Sequence, residues 1–168
     1  MRYLIFQLLT FGMMVFNAVS AEIVATFDDW QVVQQGQLKS CFMLTEVVSA
    51  QSKVPLVAVQ LQIRKDQLDS DFPATIGARV PLGASLKSGV AYRHTRQTTA
   101  VGLSWQYCDQ SICLATGGVS QDELARLKRS RKIEVGYQPL PNSRTISVPV
   151  SLLGFTKAWE HLLTCHAR

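Results

Sequence analysis

The chain lacks the short motifs that announce most enzyme chemistry. It has no Gly-x-Ser-x-Gly elbow, no His-Glu-x-x-His and no glycine loop able to cradle phosphate. Ser104, Ser111 and Ser120 have no sequence neighbours that would activate a hydroxyl. A triad can assemble from distant residues, so a hydrolase stays open here without a positive signal. The reactive dithiol pattern is missing too, because four residues rather than two separate Cys108 from Cys113. Repeats, low-complexity tracts and linker-like stretches are absent, which leaves a single domain as the expected organisation. Charge of one sign is scarce. Without Arg2, 16 basic residues face 12 acidic ones, a formal net charge of +4. That excess is too small to argue for nucleic acid, but it allows attraction to an anionic membrane surface, glycan or protein.

What is present begins with a leader. Arg2 precedes a mainly apolar run from Tyr3 to Val19, and Val19-Ser20-Ala21 offers small residues for cleavage. Residues 1–21 are therefore expected to be a signal peptide and residues 22–168 the mature domain. The competing reading is an uncleaved anchor near the lower length limit for a span. No cysteine follows the run, which argues against a lipid-modified N-terminus. Export together with four cysteines points to an oxidising compartment: the periplasm, with the outer membrane or secretion as further destinations.

Strand-like segments then recur between short breaks. Leu56 to Arg64 shows the cleanest period of two, with Val57, Val59, Leu61 and Ile63 on one face. Similar segments are read at 22–27, 30–34, 41–48, 75–82, 89–94, 100–107, 112–116, 133–137 and 145–150, with Gly117-Gly118 ending the eighth segment of the full series. Two helices interrupt them. Ser120-Gln121-Asp122-Glu123 reads as a capping box opening a helix over about 120–130, with Leu124 and Leu127 inward. A second is expected over about 154–165, its stripe formed by Phe155, Ala158, Trp159, Leu162 and Leu163. The fold class that follows is mainly β: an antiparallel β-sandwich with two short helices. A mature chain of 147 residues buries about 68–70% of its unfolded surface, so disulfides would reinforce the core, not replace it.

Four groups of side chains invite a functional reading. If the flanks of Cys108 and Cys113 pair as a hairpin, the two cysteines oppose each other at about 4.5–5.5 Å between Cβ atoms, a distance suited to a disulfide. Arg126, Lys128, Arg129, Arg131 and Lys132 form the densest charge run. Cations near a helix C-terminus are favourable in themselves, and the functional alternative is a surface for an anionic partner. His161, Cys165 and His166 imitate a metal cluster but lack a fourth ligand nearby, and Asp66, Asp69 and Asp71 fail the calcium-loop spacing. No metal or other cofactor is expected. Trp30, Trp105 and Trp159 sit in apolar-patterned segments and read as core.

Phe27-Asp28-Asp29-Trp30, Val80-Pro81-Leu82-Gly83, Gly89-Val90, Tyr107-Cys108, Cys113-Leu114-Ala115 and Ser151-Leu152-Leu153-Gly154-Phe155-Thr156-Lys157-Ala158 follow one another in that order. The set resembles the invasion-associated locus B family of exported bacterial proteins over nearly the whole mature chain. The resemblance implies an immunoglobulin-like sandwich, an envelope location, no assigned catalytic activity and a link to host-cell invasion. Two departures stand out. The family usually carries a cysteine where this chain has Gln34, paired with the cysteine that Cys41 matches; and Ile112 replaces a common glycine, in a turn where isoleucine resists positive φ.

With Cys108 and Cys113 joined, Cys41 is left with Cys165, which would replace the missing family cysteine. Free buried thiols or an intermolecular bridge remain alternatives. The functional expectation is an exported, non-catalytic binding protein acting on an envelope component or a host-surface protein or glycan. A periplasmic chaperone or assembly factor is the alternative, and an unrecognised hydrolase the third.

Overall fold

A computed structural model describes residues 21–36, 40–64, 70–95 and 99–166. The expected leader therefore lies outside the described residues up to position 20, as do Asp66 and Asp69. Ten strands and two helices are present among the described residues. They are β1 (Ala21–Phe27), β2 (Trp30–Gln35), β3 (Ser40–Val48), β4 (Pro55–Ile63), β5 (Ala74–Pro81), β6 (Val90–His94), β7 (Val101–Cys108), β8 (Ile112–Val119), α1 (Gln121–Arg129), β9 (Lys132–Tyr137), β10 (Ile146–Ser151) and α2 (Phe155–His166). No helix among them is long and apolar enough to cross a membrane.

All strand pairings are antiparallel, in the order β1-β2-β3-β4-β5-β8-β7-β6-β9-β10. The two-layer arrangement expected from the strand pattern is reached by one sheet that curls over on itself. Strand β7 makes the fold possible: Val101, Gly102 and Leu103 pair with β6, whereas Ser104, Trp105, Tyr107 and Cys108 pair with β8. The register slips between Trp105 and Tyr107, and such an irregularity bends and twists a strand. Alternation then sends one face of each half inward. Val57, Val59, Leu61 and Ile63 of β4 are all buried, and Val90, Tyr92 and His94 do the same on β6. Trp30 and Trp159 lie in the core, whereas Trp105 is half-buried and donates its indole N–H to the Leu86 carbonyl at 3.0 Å.

Two sequence expectations are corrected. Strand β8 does not stop at Gly117-Gly118 but runs to Val119, because these glycines stay paired with Ile76 and Thr75 of β5. Their missing side chains make room for others: a Cβ on Gly117 would stand 2.9 Å from Leu103 Cδ2, and one on Gly118 2.9 Å from Phe72 Cδ1. On α2, Phe155, Ala158, Trp159 and Leu162 are buried, but Leu163 lies at the margin of the stripe and is 37% exposed.

Segments far apart in the sequence meet at the start of α2. The Asp29 N–H donates to the Leu153 carbonyl at 3.3 Å, and Trp30 Nε1 donates to the Ser151 carbonyl at 3.1 Å. The Trp30 ring stands edge-on to Phe155, with centroids 5.1 Å apart. Gly154 has φ +84°, and its Hα faces the Phe27 carbonyl so closely that a Cβ there would lie 1.9 Å from that oxygen. Only glycine fits.

Both disulfides are formed. Cys108 and Cys113 are register partners across the β7–β8 hairpin, with Cα atoms 4.0 Å apart. Asp109 closes the turn by accepting hydrogen bonds from the Ser111 N–H (2.7 Å), the Ser111 hydroxyl (2.9 Å) and the Ile112 N–H (2.9 Å). Ile112 is not among the residues at positive φ, so this turn has no need of the family glycine. The N–H donors, that of Ile112 foremost, hold the Asp109 carboxyl below its usual 3.8. A group with a depressed folded-state value favours the folded hairpin above its unfolded value and loses that contribution as pH falls through the folded one. An NMR titration should therefore place the Asp109 midpoint below 3.8 in native protein, and a midpoint at or above it would contradict this turn.

Cys41 and Cys165 are bonded across 124 residues of sequence, tying the end of α2 to β3. Gln34 sits directly opposite Cys41 in the β2–β3 register, and its amide lies 3.8 and 3.9 Å from the two sulfurs. The glutamine thus occupies the place of the family cysteine while α2 supplies the sulfur.

Candidate functional site

The site is built around α1. Ser120, in extended conformation, caps the helix by accepting the Glu123 N–H at 3.2 Å. Asp122 and Glu123 occupy the first turn and Arg126, Lys128 and Arg129 the last, matching the helix dipole at both ends. Only half of the expected capping box is used. The Glu123 carboxylate turns away from the cap and accepts from His94 Nε2 at 2.8 Å and Arg126 Nε at 3.2 Å. Two charge-assisted bonds outcompete one to a neutral backbone amide.

His94 was read from sequence only as the end of a strand. It is the third inward position of β6 after Val90 and Tyr92, so alternation carries it beneath α1. Its Nδ1 and the Ser130 hydroxyl are 2.9 Å apart, and that hydroxyl lies 2.9 Å from the Arg126 carbonyl. An ionised carboxylate can only accept, so Nε2 carries a proton. Beside this pair the Tyr92 hydroxyl is buried near the Glu123 carboxylate. Burial, then the Glu123 charge, push its ionisation well above the usual 10.0. The side chains of His94 and Glu123 are each 8% exposed. Glu123→Ala removes the acceptor shared by His94 and Arg126 and should cost about 3 kcal/mol in urea unfolding. A loss below about 1 kcal/mol, the level of an ordinary exposed pair, would contradict the pair's role.

Over this buried pair opens a cleft of about 590 Å³. Arg126, Arg129, Arg131 and Lys132 line it together with His94, Thr95 and Ser130. Four of the five basic residues singled out from sequence are thus brought together. Arg126 and Arg129 share a helix face at i, i+3, which turns Lys128 to the other side. Its ammonium instead lies 5.5 Å from the centroid of the Trp159 ring. Past Ser130 the chain leaves the helix, and Arg131 and Lys132 enter the cleft from the start of β9.

The electrostatics of the cleft are one-sided. Arg126 is paired with Glu123, but among the described residues no carboxylate forms an ion pair with Arg129, Arg131 or Lys132. Two other clefts are balanced. The one on the outer face of β6 and β9 holds the Arg93–Glu134 pair at 2.7 Å, where the hydrogen bond from Arg93 keeps the glutamate below its ordinary value. Another mixes Glu46, Arg79 and Asp109.

Cys165 is committed to its disulfide, His161 packs against Phe27 with centroids 5.5 Å apart, and the His166 side chain lies outside the described residues. No metal-holding cluster of His, Cys, Asp or Glu occurs among the described residues.

Comparison with known proteins agrees with the motifs that meet in this fold. The family model for the invasion associated locus B (IalB) protein matches residues 30–163. Two invasion protein B homologs of Brucella abortus, one from strain 2308 and one from biovar 1 strain 9-941, are each 27% identical over 140 residues. Those matches cover 82% of this chain and 77% of each relative. The crystal structure of invasion associated protein b from Bartonella henselae superposes with a TM-score of 0.72 at 18% identity. It covers 86% of this chain and 98% of the other, and at that identity it speaks for the fold alone. With the family model spanning Trp30 on β2 to Leu163 on α2, the chain belongs to the invasion associated locus B family.

Proposed function

We propose that the protein is exported, has no catalytic role, and binds an anionic component of the cell envelope or of a host surface through the cleft beside α1. The observation that carries this reading is the set of cations, Arg129, Arg131 and Lys132, gathered in one cavity with no ion pair among the described residues. The helix dipole accounts for cations in the last turn, but its effect fades within that turn. Arg131 and Lys132 lie beyond it, in the connection and at the first position of β9. Like charges gathered in one cavity repel, and a bound anion would relieve that repulsion. Two disulfides and the leader-like N-terminus support export to an oxidising compartment such as the periplasm. The names of the Brucella relatives supply the link to invasion.

The test is retention on immobilised heparin, used as a generic polyanion, at a series of salt concentrations. Protein with Arg129, Arg131 and Lys132 changed to alanine should elute at markedly lower salt than the parent. Arg126 and Lys128 are left in place because they hold Glu123 and cover Trp159. Equal elution of the two proteins would remove the cleft from the account.

A further inference from the structure

The cationic cleft does not end at its polar wall. Arg131 and Lys132 also border a second cavity of about 580 Å³, completed by Pro149, Ser151 and Leu153. Lys132 and Ser151 are register partners on β9 and β10, and Arg131 and Lys132 are common to the two cavities. Leu153 is 56% exposed, yet its backbone is fixed: its N–H donates to Ser151 Oγ at 3.2 Å and its carbonyl accepts from Asp29. A lone exposed leucine is unremarkable on a protein surface. One held rigidly against a cation cleft, with a proline beside it, makes a surface with a charged half and an apolar half.

We infer that this double cavity takes a phosphate-bearing amphiphile at a lipid surface, with the phosphate on Arg129, Arg131 and Lys132 and the apolar portion along Pro149 and Leu153. The inference rests on reading the cleft as an anion site and adds the chemical class of the anion. Guanidinium groups match phosphate oxygens with paired N–H donors, and a phosphate also attracts the Lys132 ammonium as a point charge. No Trp, Tyr or Phe ring lines either cavity among the described residues, and the His94 ring is buried against Glu123, so a stacking platform for a sugar is missing there. A glycan polyanion would use the cations and leave Leu153 idle. A phospholipid uses both halves.

The experiment is co-sedimentation of the mature protein with phosphatidylcholine vesicles carrying phosphatidic acid, beside calorimetric binding of soluble glycerol 3-phosphate. The parent should sediment with the phosphatidic acid vesicles and stay in solution with phosphatidylcholine alone. Removing both arginines, Arg129→Ala with Arg131→Ala, should weaken vesicle binding roughly thirtyfold, from the usual worth of a basic residue near an anionic surface. Leu153→Ser should weaken it roughly fivefold and leave glycerol 3-phosphate binding unchanged. Lys132→Ala is a second charge variant should the double one fail to fold, with near-ultraviolet circular dichroism as the check. Unchanged vesicle binding by Leu153→Ser would overturn the amphiphile and leave the anion site standing. Parent protein that is retained by heparin but ignores the vesicles would do the same. Vesicle binding that survives loss of the charges would overturn both.

Discussion

Gly154→Ala is expected to destabilise the protein by about 4 kcal/mol, enough to leave much of it unfolded at moderate urea. Two effects add. A side chain at φ +84° carries a strain of about 1–2 kcal/mol. The new Cβ would also sit 1.9 Å from the Phe27 carbonyl oxygen and 2.6 Å from its carbon, and both atoms belong to backbone that cannot swing aside. Moving the turn between β1 and β2 would disturb the Asp29 N–H bond to Leu153 and the Trp30 indole bond to Ser151. Overpacking of this kind costs about 1–3 kcal/mol. Gly89 provides the control, because it too has a positive φ (+72°) but nothing lies within 4 Å of its would-be Cβ. Gly89→Ala should therefore show the strain alone, about 1 kcal/mol. Equal midpoints for the two variants in urea would refute the close approach at Phe27.

The second large effect concerns the long disulfide. Changing Cys41 and Cys165 together to serine should cost up to about 5 kcal/mol, because the bond closes a loop of 124 residues in the unfolded chain. The hairpin bond between Cys108 and Cys113 closes only 5, and its removal should cost about 2 kcal/mol. The asymmetry has a structural side as well. The long bond anchors α2 to β3, and α2 supplies Phe155, Trp159 and Leu162 to the core. The hairpin, by contrast, also has its β7–β8 register and its Asp109 turn to hold it. Chemical denaturation of the two double variants without reductant measures the difference. A larger loss from the hairpin pair, or alkylatable thiols at Cys41 and Cys165 in unreduced protein, would contradict the assignment.

Most of the fold was legible because β-strands advertise themselves by alternation and by the turns between them. Leu56 to Arg64 needed nothing more than its period of two. The stop at Gly117-Gly118 was misread because glycine has two meanings in a strand: a break in pairing, or space for a neighbour's side chain. Only the positions of Leu103 and Phe72 decide between them. The curl through β7 was equally hidden, since a strand that pairs with β6 along one half and β8 along the other leaves no mark in its own alternation.

The site was legible in part. The basic run stood out by density, but which cations share a cavity follows from the helix turn and from where α1 ends. Lys128 is the case in point: adjacent in sequence to Arg129, it faces Trp159 instead. The His94–Glu123 pair was missed altogether. An inward-facing histidine at the end of an apolar strand did carry a signal, because a buried imidazole calls for a polar partner. Its partner, 29 residues onward, had already been assigned to the helix cap. The replacement of the family cysteine by Gln34 was the most productive departure. It leaves Cys41 facing a glutamine and Cys165 as its bonding partner, which the α2 stripe carries to the same place.

The central claim is that the cleft beside α1 is a preformed anion site on a rigid β scaffold. Amide chemical shifts recorded while inorganic phosphate is added test it most directly. The account predicts saturable shifts at Thr95, Ser130, Arg131 and Lys132, which line the cleft, and none at Val54 or Ser111, which line the charge-mixed one. Shifts that never saturate, or that gather around Val54 and Ser111, would contradict it.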